Sequence, residues 1–150
     1  MTQGITTISE HERAAAPTRP ARIMMVDDDA VVRRMLLGVL GQKWSYQVAA
    51  FETGGEAWDF LAKGFVPDLF LLDIVMPEPG GLALLTKIRS VPALRHVPVI
   101  MCSVVDARPI VNKCLSLGAS SYLTKPFTAK TVLDEVDRVL RPGGGSQSSR

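Results

Sequence analysis

Apolar positions along the chain alternate between two patterns: short unbroken runs and stripes at helical spacing. Runs at residues 22–26, 46–51, 67–73 and 97–102, with a shorter one at 121–124, are each bounded by Gly, Pro, Asp or Ser. Apolar runs of this length between turn formers read as strands, buried on both faces where they are continuous. The stretches between them carry helical stripes. Residues 30–40 place Val32, Met35, Leu36, Val39 and Leu40 on one side, with Asp29 as the cap and Gly41 as the stop. Thr53 caps a second helix to about residue 63, with Ala57, Phe60 and Leu61 inward and Trp58 packing beside them. A third spans 81–89 with Leu82, Leu85 and Ile88 on its core face. A fourth spans 106–117, with Pro109 in its first turn and Gly118 after its end. Thr128 opens the last helix, whose stripe is Val132, Leu133, Val136, Val139 and Leu140. Strand and helix alternate five times. That alternation predicts an α/β fold: a doubly wound, five-stranded parallel sheet with right-handed crossovers and helices on both faces.

Composition changes this picture at the ends. The periodic region spans residues 22–140, and 150 residues at 47% hydrophobic content suit one domain with a proper core. Residues 1–21 hold no sustained period and read as a disordered tail. Residues 141–150, RPGGGSQSSR, read as a flexible Gly/Ser-rich tail or a truncated linker. No apolar stretch approaches the roughly 20 residues of a membrane helix, and residues 1–20 have no signal-peptide core. Cys102 and Cys114 sit in apolar surroundings and read as reduced, packed thiols. The expectation is a cytoplasmic protein with no membrane partner. The net charge of +2 comes from arginines at the ends; between residues 23 and 140 acids slightly outnumber bases. No basic stripe forms, so direct nucleic-acid binding is not expected.

The chemistry lies where the strands end. The first run stops at Asp27-Asp28-Asp29, the third at Asp73, the fourth at Ser103 and the fifth just before Lys125-Pro126. In an open α/β sheet, sites form outside the carboxyl ends of the strands. If the first and third strands are neighbours, Asp27 and Asp28 approach Asp73. Two unit charges about 4 Å apart cost about 4 kcal/mol at an effective dielectric near 20, so such a cluster needs a proton or a cation. Carboxylate oxygens with no His or Cys nearby favour Mg2+ over zinc. Lys125 adds a second positive charge and Ser103 a hydroxyl. The set suits phosphoryl transfer, with Asp73 as the carboxylate nucleophile, Asp27 and Asp28 holding Mg2+, and Ser103 and Lys125 binding phosphoryl oxygens.

These residues, in this order and spacing, resemble the receiver domain of two-component response regulators, chemotaxis regulators among them. The resemblance covers about residues 22–140. It rests on the acids after Val26, Asp73 followed by Met76-Pro77 and Gly81, Ser103, and Lys125-Pro126-Phe127. It implies strand order 2-1-3-4-5. It also implies that Asp73 accepts a phosphoryl group from phosphohistidine on a sensor histidine kinase or histidine phosphotransfer protein. The Val75 backbone carbonyl would complete the metal site, and the Lys125-Pro126 peptide would be cis. Ser103 and Tyr122 would be the switch pair, and the fourth helix, fifth strand and fifth helix the output surface toward a downstream protein target. Such a chain is a phosphoacceptor that promotes its own phosphorylation and dephosphorylation, not an enzyme with an external substrate. A phosphorylation-dependent homodimer through the output surface is compatible with it.

Some positions depart from the common pattern. Gly80 replaces a frequent Asp or other polar residue, and Ser103 a frequent Thr. Val75 and Val105, two residues beyond Asp73 and Ser103, are apolar; in the family these positions influence how water reaches the acyl phosphate, so the resemblance implies slow self-dephosphorylation. A flavodoxin-like flavin binder is disfavoured, because Asp27-Asp28-Asp29 would repel phosphate after the first strand. A haloacid-dehalogenase-type phosphatase would want a second Asp where Val75 stands. The remaining alternative is a receiver-like docking domain that works without phosphorylation.

Overall fold

Strands that are apolar on both sides must pair side by side and take helices on each face, and this governs the architecture. The computed structural model describes residues 19–141. The tail readings for residues 1–18 and 142–150 lie outside the described residues. In chain order the elements are β1 (Ala21–Val26), α1 (Ala30–Gly41), β2 (Tyr46–Phe51), α2 (Gly54–Leu61), β3 (Leu69–Asp73), α3 (Gly81–Ser90), β4 (Val99–Ser103), α4 (Arg108–Ser116), β5 (Ser121–Thr124) and α5 (Ala129–Leu140). The strands form one parallel sheet in the order β2-β1-β3-β4-β5, as expected.

Alternate side chains of each strand feed two cores. On one face Met24, Val26, Phe70, Leu72, Val99 and Met101 meet Ala57 and Leu61 of α2, Leu84, Leu85 and Ile88 of α3, and Cys114 of α4. On the other, Ile23, Met25, Leu69, Leu71, Ile100 and Cys102 meet Leu36 and Leu40 of α1 and Val132, Val136 and Val139 of α5. Each fully buried Leu or Ile contributes about 1.5–3 kcal/mol relative to exposure. The central strands β3 and β4 are buried along their whole length, so their ends are held rigidly.

Several boundaries differ from the sequence expectations for local reasons. β1 starts at Ala21, one residue early, because the Ala21 amide donates to the Ser45 carbonyl at 2.8 Å. β4 starts at Val99, not at residue 97: Pro98 has no amide to donate, although its carbonyl accepts from Phe70 at 3.0 Å. α2 ends at Leu61 and the chain turns through Gly64 at φ +98°. α4 is shorter than residues 106–117 and has no side-chain cap on Ala107. Gly41 is the last residue of α1, and the cap falls on Gln42 in right-handed conformation, so the glycine's freedom is not what ends the helix. On α3, Leu84 is fully buried, whereas Leu82 packs at the edge of the core. The caps at Asp29, Thr53 and Thr128 accept backbone amides as expected. Both cysteines are free and buried.

Candidate functional site at the carboxyl ends of the strands

The register of the sheet brings the polar strand ends together. Val26 pairs with Leu72, so Asp27 lies beside Asp73; Asp73 pairs with Cys102, and Ser103 with Thr124. Asp27, Asp73 and Ser103 are the only buried polar residues among the described residues, at 2%, 5% and 0% exposure. Asp28 stands at the exposed rim. The carboxylates of Asp27, Asp28 and Asp73 each offer an oxygen, and these oxygens lie within 4.8 Å of one another.

Lys125 compensates only part of this charge. Its ammonium donates to Asp27 Oδ2 at 2.7 Å and lies 3.4 Å from Asp73 Oδ2. The Lys125-Pro126 peptide is cis, and the Lys125 amide donates to the Ser103 carbonyl at 2.8 Å, fixing the lysine against the end of β4. Burial works against the lysine's charge, but the hydrogen bond and charge of Asp27, with the charge of Asp73, outweigh it and raise its pKa above the usual lysine range. Burial, then the neighbouring charge of Asp27, pushes the Asp73 carboxyl up, against the opposing pull of Lys125 and the Val75 amide. Three carboxylates face one ammonium, so the site is short of positive charge.

The fit to a hard divalent cation follows from the donor set. Mg2+ takes oxygen ligands at about 2.1 Å, so oxygens across one ion are about 4.2 Å apart, in keeping with the observed spread. No His or Cys is in that cluster. Asp27, Asp28 and Asp73 would hold the ion through carboxylate oxygens.

The surrounding backbone is arranged in detail. Asp27 Oδ1 accepts the Asp29 amide at 2.9 Å, and Arg33 of α1 donates to the Asp27 carbonyl at 2.8 Å. Asp73 Oδ1 accepts the Val75 amide at 3.3 Å, which turns the chain sharply after β3. The Gly81 amide closes the following loop by donating to Ile74 at 3.1 Å. A Cβ on Gly81 would lie 2.1 Å from the Asp73 carbonyl oxygen, so only glycine lets α3 start against the end of β3. Ser103 Oγ accepts the Val105 amide at 3.2 Å. Tyr122 is half-buried and its hydroxyl donates to the Val105 carbonyl, linking β5 to the β4–α4 loop.

The sequence-predicted residues Asp27, Asp28, Asp73, Ser103 and Lys125 thus converge, with Val75 and Tyr122 on the adjoining loop and strand. Sequence reasoning missed Arg33, whose contact is to a backbone carbonyl six residues back across a cap and has no sequence signature. Cys102 is a free, buried thiol of the second core, as expected. Its thiol lies close enough to the charged cluster to feel Lys125, Asp27 and Asp73, and burial pushes its pKa to about 12.

Known proteins resemble this chain in sequence and in fold. A family profile described as the response regulator receiver domain matches residues 23–137. A chemotaxis protein CheY homolog of Campylobacter jejuni is 32% identical over 124 residues, covering 83% of this chain and 95% of that protein. The 3',5'-cyclic-nucleotide phosphodiesterase regA of Dictyostelium discoideum is 34% identical over 137 residues; this is 89% of the present chain but only 17% of regA. Among solved structures, chemotaxis protein CheY4 of Vibrio cholerae superposes with a TM-score of 0.74 at 26% identity, covering 80% of this chain and 98% of that one. Sheet order and sequence likeness agree, and the chain belongs to the response regulator receiver domains of two-component systems, in their chemotaxis-regulator-like form.

Proposed function

We propose that this chain is the phosphoacceptor of a two-component phosphorelay, with Asp73 as the residue modified. The observation that carries the reading is the convergence of Asp73 with Asp27, Asp28 and Lys125 at the carboxyl ends of adjacent strands. An Asp73 carboxylate oxygen attacks the phosphorus of a phosphohistidine on a sensor kinase or phosphotransfer protein. The O–P bond forms as the N–P bond breaks; the imidazole leaves and takes up a proton from solvent. Mg2+ bound to Asp27, Asp28, Asp73 and the Val75 carbonyl would supply charge stabilisation for the equatorial oxygens. Lys125, 3.4 Å from Asp73, would pair with a phosphoryl oxygen. The buried hydroxyl of Ser103 is the nearby neutral donor.

Engagement of Ser103 would act on the Val105 region and hence on Tyr122, whose hydroxyl holds the Val105 carbonyl. That path leads to the surface of α4, β5 and α5, where a downstream protein target or a second phosphorylated copy would bind. No helix among the described residues is long and apolar enough to cross a membrane; the phosphorelay reading itself places the domain in the cytoplasm. The domain would promote its own phosphorylation and dephosphorylation and turn over no other substrate.

Incubation with acetyl phosphate and Mg2+, read by intact mass, tests this. A phosphate-sized gain in wild type and none in Asp73→Ala is expected. No gain in wild type would leave the phosphorylation-independent docking domain as the better reading.

A further inference from the structure

The loop that follows Asp73 is seated between two glycines, and only one of them belongs to the site's own strand–helix unit. Gly81 bears on the Asp73 carbonyl from within. On the outer side the loop meets the amino end of α2: a Cβ added to Gly54 would lie 2.7 Å from the Pro79 carbonyl oxygen and 3.0 Å from Pro79 Cγ. Contacts under 3.0 Å against backbone cannot be absorbed by a side-chain rotation, so one partner has to move.

α2 is the fixed partner. Thr53 Oγ1 accepts the Glu56 amide at 3.1 Å, and Glu56 reaches back to the Glu52 amide at 3.3 Å. Ala57 and Leu61 then anchor the helix in the core. Residues 74–80 form no helix or strand and are held at one end by the Gly81–Ile74 hydrogen bond.

We propose that Gly54 is a positioning residue: the capped amino end of α2 is the wall that seats the 74–80 loop and thereby sets how Val75 and Asp73 present their oxygens to a cation. This rests on the phosphoacceptor reading for its functional meaning, though α2 supplies none of the residues assigned to the metal or the phosphoryl group. The geometry also explains why a glycine is placed at the start of a helix where it is not needed for its dihedral angles. No left-handed φ is present at Gly54.

The neighbouring glycine provides a matched control. A Cβ on Gly55 would meet only Thr53 Oγ1 at 4.0 Å. Gly54→Ala and Gly55→Ala therefore gain the same helix propensity in the same turn, and only the first presses on the loop. In the full 150-residue chain, Gly55→Ala is expected to bind Mg2+ like wild type by calorimetry. Gly54→Ala is expected to bind it about tenfold more weakly, the effect usual for groups that orient metal ligands. In metal-free protein, hydrogen exchange of the Gly81 amide should be faster in Gly54→Ala than in Gly55→Ala.

Equal Mg2+ affinity and equal Gly81 exchange in the two variants would overturn the proposal. Should Gly54→Ala show no cooperative melt, Thr53→Ala decides, since it withdraws the wall instead of pushing on the loop. Weaker Mg2+ binding in Thr53→Ala supports the proposal, and unchanged binding overturns it. The two readings fail separately: unlabelled wild type in acetyl phosphate removes the phosphoacceptor reading, whereas the metal-free exchange comparison judges Gly54 alone.

Discussion

At the scale of single residues, Asp68 shows how one carboxylate joins distant chain. It accepts the Arg22 amide at 2.7 Å and both arms of the Arg19 guanidinium at 2.8 and 3.2 Å, tying the entry of β1 to that of β3. Burial pushes this carboxyl up, but the hydrogen bonds from Arg19 and Arg22 outweigh it and hold the pKa below the usual carboxylate value. A depressed folded-state pKa contributes stability that is present above the unfolded value, about 3.9, and is lost as pH falls through the lower folded value. Asp68→Ala is therefore expected to cost about 1–2 kcal/mol at pH 7, with the solvent-screened Arg19 pair the smaller part. Urea midpoints of variant and wild type should converge as pH falls below about 4. A constant difference across that range would show that packing, not ionisation, sets the cost. Val75 is a residue-scale case in the site itself. Its side chain is 54% exposed beside Asp73 and offers no group to orient a water. Val75→Asn is expected to shorten the lifetime of phospho-Asp73 several-fold, followed by loss of the phosphate-sized mass after removal of acetyl phosphate. Equal decay in both proteins would exclude a role for this side chain in water access.

At the scale of elements, Arg89 does for the amino ends of the strands what Lys125 does for the carboxyl ends. From the last turn of α3 its guanidinium donates to Gly118 at 3.2 and 2.7 Å, to Arg95 at 3.1 Å and to Val97 at 2.7 Å. These protein partners are all carbonyls, and partial burial lowers its pKa from the usual arginine value. Gly118, at φ +103°, allows that approach: a Cβ would stand 2.7 Å from the guanidinium Nε. Arg89→Ala should destabilise the domain by about 2–3 kcal/mol, and Arg89→Lys should recover less than half, because a lysine has no planar fork. Acetyl-phosphate labelling of the folded variants should be unchanged, since the contact is at the opposite end of the sheet from Asp73. Arg89 also marks where sequence reading stops. The strands were legible because β3 and β4 are apolar on both faces, and the helix starts because Asp29, Thr53 and Thr128 are cap residues. The strand-end polar residues were legible because each interrupts an apolar run. Contacts made through backbone carbonyls, such as those of Arg89 and Arg33, have no complementary residue type to reveal them. The seat of Pro79 on Gly54 is equally silent, because it depends on a helix and a loop 25 residues apart (79 − 54) meeting in space. Pro98 shifted the start of β4 because a missing amide outweighs an apolar side chain at a strand end.

At the scale of the whole molecule, the two cores and the acidic end of the sheet act against each other. The cores fix β1 and β3 side by side, and in doing so hold Asp27 and Asp73 together with Lys125 as their only paired cation among the described residues. Folding thus works against repulsion that the unfolded chain does not feel, and any cation bound only by the folded state relieves it. A ligand specific to the native state adds about 2.7 kcal/mol of stability at roughly 100 times its Kd. For a domain of this size that corresponds to a rise in Tm of several degrees. The expected outcome is that MgCl2 raises Tm whereas NaCl at equal ionic strength does not, because general screening acts weakly on a buried cluster. Asp73→Asn removes one of the opposed charges without removing volume. It should raise Tm in the absence of metal and flatten the dependence on Mg2+. Scanning calorimetry of the two proteins across a Mg2+ series distinguishes the cases. A rise reproduced by NaCl, or one that persists undiminished in Asp73→Asn, would mean that the cluster is not where the cation binds.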